Sequence, residues 1–456
     1  ITTRPASGSV EFDGSVGSAP TPAATTIGYV WASGTNNAGL YYTDGGGTTA
    51  QLNAAAGGGT FDGSLSDNYI PIGTAADTIG NFVLGLTENN SIWIGSDPTS
   101  TTDTASDNVA VGFLALDAIT TGDTNTAIGY NTLSALTEGT GNTAVGKEAG
   151  KAITTGKENA ILGECAGEGL TTGGWNVAIG GDSLKTSESG SYNIAIGKNA
   201  MSSGLTTTTQ VIGIGYAALQ NVTSGGENIM IGGYAGDAIT TSGKNVAIGN
   251  SALSTVATGD GHNTAIGREA MRDTGAGATY NTAIGSSALF FGAADMVGGT
   301  ALGYGAGYYI EGNYNTLIGY AAGYGSTTTR TAWGNVGVGK QALNDITSAS
   351  RSVAIGENAG ANITTADYNV LMGSHAGNAL TTDGNNVMVG TFAGQNSTST
   401  DSIYIGYNSG YYLTADKNTF MGRNAGTSNS TTHTAENSVG ICLLYTSPSP
   451  RDRQKS

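Results

Sequence analysis

From residue 91 onward the chain repeats one short pattern of apolar and polar positions. NTAIGYNTL (125–133) returns as NTAIGREAM (263–271) and NTAIGSSAL (281–289), with near-copies NTAVGKEAG (142–150) and NVAIGNSAL (245–253) between them. Counted on the glycine that closes each N-x-x-I-G, 20 units lie between Gly95 and Gly422, at a mean step of about 17 residues and a range of 16 to 20. A period this short marks a solenoid, in which each unit is one coil that can bury its apolar face only against its neighbours.

With the closing glycine as position 0, position −1 is Ile, Val, Leu or Met in all 20 units, and position −3 is β-branched in all but one, Ala160. β-Branched residues at i and i+2 predict a strand, and the density of Gly and Asn argues against a helix. Position −2 starts at Trp93, is most often Ala and becomes larger at Met388, Tyr404 and Phe420, but it is never charged. A strand apolar on both faces is expected to be covered on both. The bulkier pair, Thr126 and Ile128 in the first copy, is expected to fill the coil. On that assignment Ala127, Ala144, Ala178, Ala195, Ala247, Ala265 and Ala283 face neighbouring chains, which calls for an oligomer.

The strand core of the repeat is carried by Ile128, Ile179, Ile248, Ile266 and Ile284, and Gly129, Gly146, Gly180, Gly249, Gly267 and Gly285 release the chain into the next turn. Asn opens 15 of the 20 units, among them Asn125, Asn142, Asn176, Asn245, Asn263 and Asn281. Stacked asparagines can form an amide ladder between coils, or each can serve as a turn residue that tolerates unusual backbone angles. In the second half of each unit, position +3 is mostly Ala and position +4 is Leu, Met or Gly in all but the first unit. A turn such as ITTG (119–122) or LTTG (170–173) follows. Each coil is therefore predicted as strand, turn, short strand, turn. Twenty coils at the usual inter-strand spacing give a rod roughly 90–100 Å long. The expected fold class is all-β, a parallel β-solenoid of about 20 coils.

Composition narrows what such a rod does. The 456 residues include 34 acidic and 17 basic side chains, a formal charge of −17. That balance disfavours nucleic acid, whose phosphates require a basic face. There is no apolar run long enough to span a membrane. Glycine does not recur every third residue, which excludes collagen. Two cysteines, Cys165 and Cys442, make no disulfide framework. After NSVGI (437–441) the pattern stops and CLLYTSPSPRD (442–452) follows, which resembles a translated sequencing adapter. Residues 442–456 are read as non-native on that basis, and the opening Ile1 as the mark of a fragment. Upstream of the array, 1–66 is read as a β-rich fibre segment with a hairpin at 39–52, 67–90 as a transition, and 91–441 as the repeat array.

The N-[TV]-A-[IV]-G columns, RSVAIGENAG (351–360) most of all, resemble the head repeats of YadA-like trimeric autotransporter adhesins. The form with a following TTG turn is similar to repeat regions of bacteriophage tail fibres. The adhesin resemblance implies a left-handed parallel β-roll with three chains packed side by side. The expected assembly is a homotrimer, and its expected role is attachment to a host receptor, glycan or matrix protein. The tail-fibre resemblance implies a place on the virion, the adhesin resemblance a place on the bacterial surface. A carbohydrate-active tailspike is the alternative of a different class.

Strings that mimic enzyme motifs come from the repeat columns themselves. GNTAVGKE (141–148) and GNVGVGKQ (334–341) end in Glu148 and Gln341 where a phosphate loop needs Ser or Thr. GIGYAA (213–218) and GVGKQA (337–342) mimic the dinucleotide fingerprint without a βαβ context. His262, His375 and His433 lack metal-ligand spacing. Cys165 sits in a variable column of its unit. Glu148, Glu164, Glu269 and Glu357 lie along one variable edge, and nothing singles out a facing pair of the kind glycoside hydrolysis needs. Hexapeptide acyltransferase coils need apolar residues every six positions, but Ile128 is followed at that spacing by Ser134 and Thr140. No enzyme, cofactor or metal is expected.

Overall fold

A computed structural model describes residues 90–95, 104–203, 209–293, 295–325, 331–427 and 436–441, with backbone alone for five short strands upstream. The chain divides into two units, Ile1–Gly73 and Thr74–Ser456. In the first, β1 (Tyr29–Ala32), β2 (Leu40–Thr43) and β3 (Thr49–Gln51) form an antiparallel meander. Tyr41 pairs with Gln51 and Tyr42 with Ala50, so the expected hairpin segments meet, although their turn lies outside the described residues. β1, which pairs Tyr29 with Thr43, was not expected. A two-residue strand, β4 (Tyr69–Ile70), follows. Residues 442–456 and His433 also lie outside the described residues.

The second unit is a parallel β-solenoid of about 17 residues per coil. It begins with β5 (Gly85–Glu88), which pairs antiparallel with β6 (Ser91–Gly95) through a turn at Asn90. Thus the first rung is covered by a strand of opposite sense. From β6 onward every rung is parallel and lies in register on its own column. Thr126 pairs with Thr143, Ala127 with Ala144 and Ile128 with Val145, and the pattern continues to β26 (Val439–Ile441). The second half of each coil also stacks by backbone hydrogen bonds, as from Ala135 N–H to Lys151 O at 3.1 Å. The expected second strand does not form among the described residues, and only the bridge Asp273–Phe291 falls in this half of a coil.

The strand faces are the reverse of the expected ones. Every described −2 side chain is buried, with Ala127, Ala144, Ala178, Ala195, Ala247, Ala265 and Ala283 each at 0% exposure inside their own coil. None of the −3 or −1 side chains is buried, and Ile128 is 39% exposed. The alanines therefore cannot face another chain, and Thr126 and Ile128 do not fill the roll. The cause is the narrow interior. The −2 side chain shares it with positions +3, +4 and +7 of the same coil, such as Ala115, Leu116 and Ile119, all fully buried. Beside the +7 side chain, one further large side chain per coil nearly fills that space.

The size pattern follows from this. Position +4 has φ between 47° and 66° whether it is Leu, Met or Gly. A left-handed backbone excludes the β-branched residues that a buried site otherwise welcomes. In the nine coils with Leu or Met at +4, position −2 is Ala or Gly without exception. Where −2 is large, +4 is Gly in every coil but the first, in which Thr99 follows Trp93. A Cβ on Gly236 would lie 2.8 Å from Met230 Sδ, and one on Gly426 would lie 2.6 Å from the Phe420 ring. Three coils have a small residue at both positions, and their neighbours fill in. A Cβ on Gly150 would meet Leu133 Cδ2 at 2.8 Å and Ile161 Cδ1 at 3.0 Å, from the coils on either side.

Two columns lock adjacent coils together. The closing glycines have φ from 121° to 142°. At the described contacts a Cβ there would come within 3.0 Å of the next closing glycine's backbone. No L side chain satisfies both conditions, which explains why this position never varies. The asparagines form the ladder. Asn125 N–H and Nδ2 donate to Asn108 Oδ1 at 2.8 and 3.1 Å, and Nδ2 also donates to Gly139 O at 2.9 Å. Asn142 makes the same bonds to Asn125 Oδ1 and Gly156 O. Serine substitutes at 352, where Oγ accepts from Asn369 N–H at 3.1 Å.

Candidate interaction surfaces

The first surface is the outer face of the strands. Each rung offers its −3 and −1 side chains to solvent, none of them charged, with Leu162 half exposed and Ile179, Ile248, Ile284 and Ile355 each above a third. Parallel pairing places these side chains in two unbroken rows. Twenty rungs at about 4.8 Å make a strip on the order of 90 Å long and one strand wide, roughly 700–900 Å². Soluble monomers rarely expose a continuous apolar patch above roughly 300–600 Å².

Positions −5 and +1 border this strip and carry its variable residues. Position −5 is another left-handed site, including Trp175, Tyr192, His262 and Tyr280 with φ from 58° to 60°. Trp175 stacks on Tyr192 at 5.0 Å and His262 on Tyr280 at 5.0 Å. The rings cover one another's faces along the rod.

The carboxylates singled out in the sequence are engaged along the axis rather than gathered across a cleft. Lys147 Nζ lies 3.3 Å from Glu164 and Lys340 Nζ 3.0 Å from Glu357, each one coil apart. The hydrogen bond from Lys340 holds the Glu357 carboxyl below its ordinary range, and the bond to Glu164 raises Lys147. Glu269 pairs with Arg268 at 3.1 Å and Arg272 at 3.3 Å. His375 Nε2 accepts a hydrogen bond from Asn358 Nδ2 at 3.2 Å.

Glu148, Cys165 and Glu168 do converge, with donor atoms within 4.8 Å of one another. They adjoin a shallow depression of about 590 Å³ lined by Lys151, Glu168, Lys185 and the small residues Ala135, Ala152 and Gly169. Glu168 already lies between two ammonium groups, Lys151 at 3.8 Å and Lys185 at 3.7 Å. Burial first, then the Glu168 charge, push the Cys165 thiol up. In this structure the carboxylates of the cluster belong to an ion-pair ladder, with the thiol at its edge.

The motif mimics fall where the repeat puts them. Gly146 and Gly339 close their coils beside Lys147 and Lys340, and both lysines point to the Glu of the next coil. No helix occurs among the described residues, so none offers an N-terminus to phosphate, and none is long and apolar enough to cross a membrane. Sequence reasoning missed the outward isoleucine strip because it assigned the larger side chains to the core. No protein-family model, curated protein or solved structure matches the chain.

Proposed function

We propose that this chain is a structural fibre segment, a β-solenoid shaft of the tail-fibre type that works in host attachment as a homotrimer on a virion. The observation that carries the proposal is the outward strip of Ile, Val, Leu, Met and Thr at positions −3 and −1. Its area is comparable with the roughly 800 Å² per partner of a stable interface. All copies share one rung spacing, so a second copy lying parallel matches the strip along its whole length. Three such shafts repeat the variable −5 and +1 side chains many times, and weak contacts then gain avidity.

The experiment is sedimentation and light scattering on the full chain at micromolar concentration. The expected species is a trimer, and a stable, well-folded monomer overturns the proposal. Lysine at Ile128, Ile179 and Ile248 together is expected to dissociate the assembly while the circular dichroism of the folded chain is retained. The adhesin-head alternative shares this seam and differs in where the rod is anchored.

A further inference from the structure

We propose that the tyrosine patch on the coils closed by Gly285, Gly303 and Gly319 is a binding surface for a neutral oligosaccharide. Positions +5 and +6 are small or polar in most coils, as at Ser134–Ala135 and Asn378–Ala379. Here they become Phe290–Phe291, Tyr308–Tyr309 and then Tyr324–Gly325. Backbone bonds hold these in step, Phe291 N–H to Tyr308 O at 2.8 Å and Tyr309 N–H to Tyr324 O at 2.9 Å. Phe290, Tyr308 and Tyr324 stack at 4.8 and 4.9 Å, and Phe291 stacks on Tyr309 at 5.2 Å. The two columns meet edge to face, at 4.6 Å for Phe290–Phe291 and 4.6 Å for Tyr308–Tyr309. Tyr324 reaches back over Gly305, where an added Cβ would touch its ring at 3.4 Å. It thereby approaches Tyr304 and Tyr320, themselves stacked at 5.5 Å.

Folding does not demand this many rings. Only Phe290 is buried, at 6% exposure, whereas Tyr304 is 56% exposed and Tyr308, Tyr309 and Tyr324 are partly exposed. Burial, with the neighbouring phenols, raises Tyr308 and Tyr324 above the ordinary tyrosine range, so both keep their donor proton.

Size and charge choose the occupant. Three coils span only about 10–15 Å along the rod, too short a stretch to supply the roughly 800 Å² per partner of a stable protein interface. The nearby charges are taken up among themselves, Arg272 with Glu269 at 3.3 Å and with Asp273 at 3.9 Å. The Arg272 guanidinium also covers the Phe290 end of the stack, 5.3 Å from the ring centre. What remains is a set of rigid phenols, each an apolar ring with a hydrogen-bonding tip. A sugar of two or three rings is complementary, with its C–H face against the phenols and its hydroxyls at their tips. The proposal does not depend on whether copies of the chain associate.

The test is saturation-transfer NMR on the full chain with maltotriose, cellotriose and the N-acetylglucosamine trimer at millimolar concentration. At least one is expected to bind. Its affinity is expected to fall roughly tenfold in Tyr309→Ala and in Tyr304→Ala, and to stay unchanged in Tyr130→Ala, an exposed aromatic on another coil. Tyr304 is the exposed member, so its variant keeps the test valid if Tyr309→Ala disturbs packing. Absence of transfer to all three sugars, or equal transfer in both patch variants and wild type, overturns the proposal.

Discussion

The reciprocal sizes of positions −2 and +4 can be tested by exchanging them within one coil. The coil closed by Gly232 carries Met230 and Gly236, and lies between two coils of the opposite kind, Gly213 with Leu219 and Ala247 with Leu253. Met230→Ala alone removes a fully buried side chain and is expected to cost about 2–5 kcal/mol. Gly236→Leu alone puts a Cβ 2.8 Å from Met230 Sδ and 3.0 Å from Ile239 Cδ1. Overpacking of that kind costs about 1–3 kcal/mol. The left-handed backbone, φ 58° at Gly236, adds about 1–2 kcal/mol for a residue with a Cβ.

If the two positions share one space, the double variant loses both the cavity and the clash. Only the backbone penalty of about 1–2 kcal/mol remains, and Leu253 and Leu289 already sustain it in native coils at φ 54° and 47°. The double-mutant cycle should then show a favourable coupling of at least about 2 kcal/mol. Hydrogen exchange in the full chain, read at the amides of 229–231 and 246–248, reports the local opening energy, because a solenoid opens coil by coil. A double variant no more stable than the worse single variant refutes the shared-space account.

The asparagine ladder gives a graded series at Asn125, which donates to Gly139 O and accepts from Asn142 N–H and Nδ2. Asn125→Ala strands several buried groups at about 1–3 kcal/mol each; Asn125→Ser, the residue native at 352 and 402, should cost least on urea unfolding. Asp237 has a buried Oδ1 without a partner, and burial raises its carboxyl above the ordinary range. A raised carboxyl favours folding while protonated and loses that contribution as pH climbs through the folded value. Asp237→Asn should therefore increase protection of its coil at pH 7 and give no gain at pH well below the ordinary carboxylate range. Lys340→Met should leave the melting temperature almost unmoved, since both partners of Lys340–Glu357 are about half exposed; a large drop on that single change would show that the exposed pairs carry more than screening allows.

The period, the strand at −3 to −1, the closing glycine and the asparagine column were all legible in the sequence. Each expresses a rule that acts on one residue at a time: β-branching, a positive φ, an amide that both donates and accepts. The assignment of faces was not of that kind. Alternation states that Ala127 and Ile128 point to opposite sides, but both sides are apolar, and bulk alone points to the wrong one as the interior. The correcting signal was in the repeats. Met230, Leu371, Tyr404 and Phe420 each occur with Gly six residues later, which two positions do only if they compete for one volume. The capping strand Gly85–Glu88 could not be read from periodicity, because it is a single antiparallel pairing outside the repeat. The tyrosine patch is not legible in the sequence for a related reason, since its rings come from three coils that meet only once the rungs are stacked.

In the proposed assembly, the inverted faces move the contact between copies from the −2 row to the −3 and −1 rows. Small side chains at −2 are set by the coil's own interior and carry no information about partners. The −3 and −1 rows are free of that constraint, yet they remain β-branched or aliphatic over 20 rungs, where alternation with lysine or glutamate would suit a solvated face. Strand propensity accounts for β-branching at these sites but equally permits Thr in both rows. Thr occurs often at −3 and never at −1, where only Ile, Val, Leu and Met stand. If copies pack as proposed, that asymmetry makes the −1 row the centre of the seam and the −3 row its edge, so lysine at Ile248 should dissociate copies more readily than lysine at Val246.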